Sequence, residues 1–260
     1  MFLHAGIIHI GVNMLMQMTM GREMEKQIGS LRFASVYISS GIFGFVLGAN
    51  FAGEGTASTG ASGALFGIMG LYLLDLFYNW RERRKPVRDL MFSLLDIVIA
   101  FVLGLIPGVV DNFSHMGGLL MGLVLGICLL HSPNALRERL GTSTSYHPMN
   151  PTNPASPTQE SPEEGFTAFK KKPVGFFKGR KPLWWAWWLL RAGAVVGVFV
   201  CFIVLLNNFY KYRNTCSWCK YLSCLPIKDW CESGDLQLSN STSKRDLFGV
   251  SGQRFYVFYE

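Results

Sequence analysis

The stretch STGASGALFGIMG, residues 58–70, opens with small and polar residues and turns apolar after Ser62. The part before Ser62 reads as a loop and the part after it as the start of a membrane span. A serine at that junction has two readings. It can cap the helix that follows, or it can be a nucleophile held at the edge of a membrane. The residues around it determine which chemistry is on offer.

The chain has 260 residues, half of them hydrophobic, which excludes an ordinary soluble domain. Besides the run at 61–80, apolar runs cover about 2–20, 31–51, 90–107, 113–131 and 183–206. Each is close to the length needed to cross a hydrocarbon core. Backbone polar groups in lipid must be satisfied within the segment, so the spans are read as helices. The expected fold class is therefore an all-α membrane protein, a polytopic helical bundle. Residues 1–131 form a compact set of five spans. Residues 132–182, rich in Pro, Ser, Thr and Asn, read as a disordered cytosolic linker. Residues 183–206 add a further span, preceded by cations and by Trp184, Trp185, Trp187 and Trp188, an interfacial anchor. Residues 207–260 form a small tail.

The net charge of +7 is not spread evenly, and its sorting by loop argues against nucleic acid as partner. Arg22, Lys26 and Arg32 lie in the 21–32 connection, and Arg81, Arg83, Arg84, Lys85 and Arg88 in the 81–88 connection. The linker is basic too. The connections 52–60 and 108–112 hold neither Lys nor Arg. This alternation puts the basic loops in the cytosol. The first, third and fifth spans then enter from the luminal side, and the tail ends there. Lys211 and Arg213 run against the pattern.

In the tail, Cys216, Cys219, Cys224 and Cys231 suit either zinc or two disulfides. A luminal position favours disulfides, and no metal site is expected. The Asn240-Ser241-Thr242 sequon makes Asn240 a glycosylation candidate on the same side. Cys128 and Cys201 lie in spans and read as packing residues.

Polar side chains within spans are costly and often functional. His9 and Asn13 are spaced i, i+4 and share a helix face. Ser62 and His115 each stand near the start of a span that enters from the luminal side. His9, Asn13, Ser62 and His115 therefore fall at comparable depth. A serine hydroxyl needs a base, and His115 can serve. The helix start at Ser62 supplies free backbone N–H groups and a positive dipole end for a developing oxyanion. His9 and Asn13 can donate to the same oxyanion. Gly60 and Gly63 remove bulk beside the serine. Taken singly, each residue also fits a structural role as a cap or an interhelical hydrogen bond. Asp111, four residues before His115, reads as a cap or surface residue. Asp75 and Asp96 raise a rival, an aspartyl pair or proton pathway near the cytosolic ends, within reach of Arg88 or water. Gly63-x-x-x-Gly67 and Gly118-x-x-x-Gly122-x-x-x-Gly126 give two spans small faces whose contact would bring Ser62 and His115 together.

Four motifs in order resemble the rhomboid family of intramembrane serine proteases, over about residues 1–131. HAGIIHIGVNML resembles its H-x4-H-x3-N helix, and MGREMEKQIGSLRF its G-x3-E-x3-G stretch at Gly21, Glu25 and Gly29. GASGALFG resembles the G-x-S-G serine motif, and SHMGGLLMG the histidine motif at His115, Gly118 and Gly122. The resemblance implies a rhomboid-type bundle with an extra C-terminal transmembrane helix. It implies Ser62 as nucleophile, His115 as general base, His9, Asn13 and the Ser62 backbone N–H as oxyanion stabilisers, and His4 as a supporting residue. Phe66 stands where family members often carry Tyr packed on the histidine. The family's first core helix and following loop, with its Trp-Arg motif, are missing here, so a truncated chain is expected.

The expected function is cleavage of transmembrane protein substrates near their luminal or extracellular ends by a Ser/His dyad, without a cofactor. The alternative is a non-proteolytic rhomboid-like binder acting in trafficking or degradation. A transporter built on Asp75, Asp96 and His115 leaves the G-A-S-G collar unexplained. The extra helix resembles that of eukaryotic secretory-pathway members, whereas mitochondrial ones carry theirs in front. The lipid bilayer and transmembrane substrates are the expected partners.

Overall fold

The computed structural model describes residues 2–4, 6–52, 58–105, 111–130, 182–212, 214, 216, 218–223, 237–240 and 255–258. The expected linker, apart from residue 182, and both Cys224 and Cys231 lie outside these residues.

The helices are α1 (Ile7–Met16), α2 (Arg22–Ile28), α3 (Ser30–Phe51), α4 (Ser62–Tyr78), α5 (Pro86–Leu103), α6 (Asn112–Leu129), α7 (Pro182–Asn207) and the short α8 (Lys220–Ser223). Two strands in the tail, β1 (Gln237–Asn240) and β2 (Phe255–Phe258), pair antiparallel, with Asn240 opposite Phe255. The helical bundle is thus the membrane architecture, and the strands stand apart from it in sequence.

Three described helices are long and apolar enough to cross a membrane: Ser30–Phe51, Asn112–Leu129 and the continuous stretch Pro182–Tyr212. α4 is apolar but shorter, at 17 residues. α5 carries Arg88, Asp89 and Asp96, which breaks its apolar run. The two largest departures from the expected boundaries are at C-terminal ends. The first span does not stop near residue 20. It passes through a π-helical turn, Gln17–Gly21, and continues as α2 to Ile28, because the chain break comes only at Gly29, where φ is +86°. The last helix likewise extends through a π-helical turn to Tyr212.

Polar contacts show which helix ends meet. Arg83, after α4, pairs with Glu23 in α2 (3.7 Å), and Arg191 in α7 donates to the carbonyl of Leu130 after α6 (2.7 Å). At the opposite end Asn208 donates to Asn50 at the end of α3 (2.9 Å), and Ser58 and Ser114 hydroxyls hydrogen-bond across the starts of α4 and α6 (2.7 Å). The exposed cations Arg22, Lys26, Arg81, Arg84, Lys85 and Arg88 all fall toward the first of these ends.

The centre of the bundle is α3, α4 and α6. They approach closely because glycines face each other. A Cβ on Gly118 would collide with the Gly63 carbonyl, and one on Gly122 with the Gly67 carbonyl. A Cβ on Gly44 of α3 would lie 2.6 Å from the Ser114 oxygen. The two glycine faces expected from spacing therefore do pack together. α1 buries only Asn13, and α5 only Ser93. Cys201 does not pack as expected: its side chain is exposed.

Candidate functional site

The site forms at the end of the bundle away from the cations, where α4 and α6 begin. Ala61, not Ser62, occupies the cap position of α4, so Ser62 is the first helical residue and no cap residue side chain closes the helix. The first bond of the helix runs from the Leu65 N–H to the Ala61 carbonyl (3.0 Å). The N–H groups of Ser62, Gly63 and Ala64 precede that ladder and have no intrahelical acceptor. The start of α6 is different. Asp111 caps it, its carboxylate accepting from the Phe113 N–H (2.9 Å) and the Ser114 hydroxyl (2.5 Å). The cap expectation for Asp111 holds, but the residue is buried rather than at the surface.

His115 lies one turn inside α6 and is 3 % exposed. Its ring stacks on Phe66 with centroids 4.1 Å apart and planes 10° from parallel. Phe66 is four residues after Ser62, so it sits on the same face of α4 one turn deeper. The expected packing of Phe66 on the histidine is thus found. Neither His115 nitrogen has a hydrogen-bond partner among the described residues, and so no hydrogen bond joins it to Ser62 in this state. Serine–base contacts are commonly loose without substrate and tighten on binding.

α1 brings the remaining polar groups. A Cβ on Gly60 would lie 2.8 Å from His9 Cε1 and Nε2 and 3.4 Å from Asn13 Nδ2. Gly60, at φ +99°, therefore serves two needs: a backbone conformation that suits glycine, and room for the His9 ring. Asn13 is buried and its Nδ2 unpartnered among the described residues. His9 lies within electrostatic reach of His115, and His4 makes an edge-on contact with His9 at 5.3 Å. His4, His9, Asn13, Gly60 and Gly63 thus all gather around the head of α4, beside Ser62 and His115.

The carboxylates do not join this group. Asp75 accepts from Arg83 (2.6 Å) and Asn79 (2.7 Å) near the cationic end, while the Asp96 side chain is exposed. The partner of Asp75 is Arg83, rather than the Arg88 or water expected from sequence. Arg83 also reaches Glu23 and lies over the Tyr72 ring (5.7 Å), so Asp75 serves to fasten α2 to α4.

The model of the rhomboid domain matches residues 1–132. The chain belongs to the rhomboid family. It is 54 % identical over 244 residues to Rhomboid-type serine protease 2 of Emericella nidulans, covering 91 % of this chain and 48 % of that protein. It is 35 % identical over 230 residues to RHOMBOID-like protein 6, mitochondrial, of Arabidopsis thaliana, covering 88 % and 66 %. It is also 29 % identical over 237 residues to Inactive rhomboid protein 1 of Homo sapiens, covering 91 % and 22 %. The chain spans about half the length of the first two curated relatives it matches. Proteins named as a protease and as inactive both resemble it, so the residues of this rhomboid's own site carry the functional reading.

Sequence reasoning missed Asn112 in this rhomboid. It is 1 % exposed, and its Nδ2 donates to the Phe101 carbonyl in α5 (3.2 Å) and the Leu222 carbonyl in α8 (2.8 Å). One side chain thereby ties α5 and the tail to the helix turn that precedes His115. Just before α8, the Cys216–Cys219 disulfide closes a turn in which the Cys219 N–H donates to the Cys216 carbonyl. The disulfide reading holds for this pair. Ser114 was missed as well; it links the Asp111 cap to Ser58 in the loop before α4.

Proposed function

We propose that this rhomboid is an intramembrane serine endopeptidase in which Ser62 is the nucleophile and His115 the general base. The observation that carries the reading is that Ser62 heads α4 without capping it, while His115 is held one turn away on Phe66 with both nitrogens unpartnered among the described residues. A serine kept only as a cap would stand one residue earlier and spend its oxygen on the helix start.

In this reading Ser62 Oγ attacks the scissile carbonyl and its proton passes to His115. The oxyanion is held by the Ser62 N–H with His9 and Asn13, groups preorganised by Gly60 and by the uncapped helix start. His115 returns the proton to the leaving amine, and water then resolves the acyl-enzyme by the same route. No cofactor enters any step. Substrates are transmembrane proteins cut near the end of the span level with this site. The basic end of the bundle faces the cytosol, so the site and the tail lie on the luminal or extracellular side of a secretory-pathway membrane. The Cys216–Cys219 disulfide supports that placement, since disulfides persist in oxidising compartments.

Ser62→Ala is expected to abolish both cleavage of a transmembrane reporter and labelling by a fluorophosphonate, with unchanged protein level. His115→Ala should lower cleavage by about 10²–10⁴-fold. Asn13→Ala should lower it by about 10²–10³-fold, as for loss of one oxyanion donor. Labelling that survives Ser62→Ala would remove the serine from the reaction. A folded wild type that binds membrane helices but neither labels nor cleaves would establish the binder instead. The orientation is tested by glycosidase treatment. A mobility shift lost in Asn240→Gln is expected, and cytosolic protease access to the tail in sealed microsomes would reverse the assignment.

A further inference from the structure

Arg191 is a cation with no carboxylate partner among the described residues. It stands nine residues after Pro182 in α7, about 14 Å along the axis at ~1.5 Å per residue. One Nη donates to the Leu130 carbonyl (2.7 Å), and the guanidinium lies over the Trp187 ring at 5.3 Å. Its Nε is buried and unpartnered among the described residues, and so is Trp187 Nε1. Two N–H donors without acceptors and a positive charge without a counter-ion, among the described residues, therefore sit together. Burying such groups unmatched costs free energy that an anion would recover.

One turn further along α7, at Val195, an apolar groove begins. It runs between α3, α6 and α7, has a volume of ≈ 330 Å³, and is walled by Phe43, Met121, Leu125, Val198, Phe199 and Phe202 among others. The last helix is tied to the core on either side of the groove, through Arg191 to Leu130 and, just past the end of α7, Asn208 to Asn50, so the gap between them is part of the fold. A water's share of liquid volume is only ~30 Å³, and a wall without charge offers water few partners. In a bilayer the matter at hand for such a groove is an acyl chain.

We propose that Arg191, Trp187 and this groove form a binding site for one anionic glycerophospholipid. The phosphate accepts from Arg191 Nε and Trp187 Nε1, and one acyl chain lies in the groove. The 31-residue helix 182–212 is about 46 Å long against a hydrocarbon core of about 30 Å. Its first turns, with the tryptophans, thus reach the headgroup layer, and a guanidinium two or three turns in extends toward phosphate depth. A lipid of net negative charge is favoured because nothing among the described residues balances Arg191. The site lies at the cationic end of the bundle, remote from Ser62, and does not depend on the proteolytic reading.

Native mass spectrometry of the whole protein, released from nanodiscs and titrated with phosphatidylglycerol, phosphatidylcholine or inorganic phosphate, tests this. One phosphatidylglycerol should remain bound, about tenfold more tightly than phosphatidylcholine, as for charge-assisted hydrogen bonds. Arg191→Gln should lose that lipid by about tenfold or more, and Arg191→Lys should fall between. Trp187→Phe keeps the ring and drops one donor, for a loss of about threefold to tenfold. Val198→Trp fills the groove and should expel the lipid without touching Arg191. If Arg191→Gln does not fold, the last two variants decide. Equal retention of the two lipids, binding unchanged by the folded variants, or displacement of the lipid by inorganic phosphate would each overturn the proposal.

Discussion

Gly63 and Gly67 on α4 meet Gly118 and Gly122 on α6 backbone to backbone, whereas Gly193 and Gly197 on α7 have nothing within 4 Å of where a Cβ would stand. Both sets show the same four-residue spacing. In the first, two small faces meet, and the carbonyls of one helix occupy the room that side chains would take on the other. In the second, α7 turns bulky residues to the core, with Phe202 against Phe43 at 6.4 Å, and the glycines face away. The contrast has consequences for function. The closed seam sets Ser62 and His115 on adjacent helix starts. The looser contact of α7 leaves a groove beside Arg191. Small-residue spacing permits close approach, but a complementary small face on the partner is needed to realise it.

The sharpest way to break this comparison is to add a methyl group to the seam. Gly118→Ala and Gly122→Ala should each cost roughly 1–3 kcal/mol or more, because the obstruction is a backbone carbonyl that cannot rotate away. Fluorophosphonate labelling should fall with stability, since the serine and histidine helices are pushed apart. Thermal unfolding in detergent checks the first effect and labelling rate the second. Unchanged values in both would mean that the seam is looser than its geometry.

Gly60→Ala should be next in size. The backbone at φ +99° costs a non-glycine residue about 1–3 kcal/mol, and the new Cβ presses on His9. Labelling should drop more than thermal stability does. Equal losses in the two would show a packing role alone.

Asn112→Ala removes both donors and strands the Phe101 and Leu222 carbonyls, at about 1–3 kcal/mol. Hydrogen exchange should rise in α5 and in 218–223 together. A rise in only one would mean that the two are fastened separately.

Gly193→Ala and Gly197→Ala should be smallest, within about 0.5 kcal/mol of wild type, as for open surface positions. A large loss of stability in either would mean that this face is covered in the membrane, and the comparison with the seam would collapse.

Much of the site was legible because its parts are local. The i, i+4 spacing of His9 and Asn13 needs only helix geometry, whereas Phe66 was legible only through the family resemblance. Glycines at 63, 67, 118 and 122 announced a close pair of helices. The charge alternation ordered the helix ends that the polar contacts then matched. What escaped notice rests on partners far along the chain. Asn112 looks like the first residue of an ordinary capped helix, and its acceptor in Leu222 is 110 residues away. Asp75 looked like one member of a pair with Asp96 because both are acids within spans, yet Arg83 claims it two turns on.

The amino-acid sequence by itself determined that the chain is a bundle of apolar helices, which helix faces are small, and which polar residues share a helix face, because hydropathy, residue size and helical period are properties of neighbours in the chain. Only the tertiary structure decided that Ala61 takes the cap position and frees Ser62, that Asn112 joins α6 to α5 and α8, and that Arg191 stands without a carboxylate partner among the described residues. Those outcomes depend on which surfaces meet, and each meeting is a competition among all faces of the bundle for the same few ångströms of space.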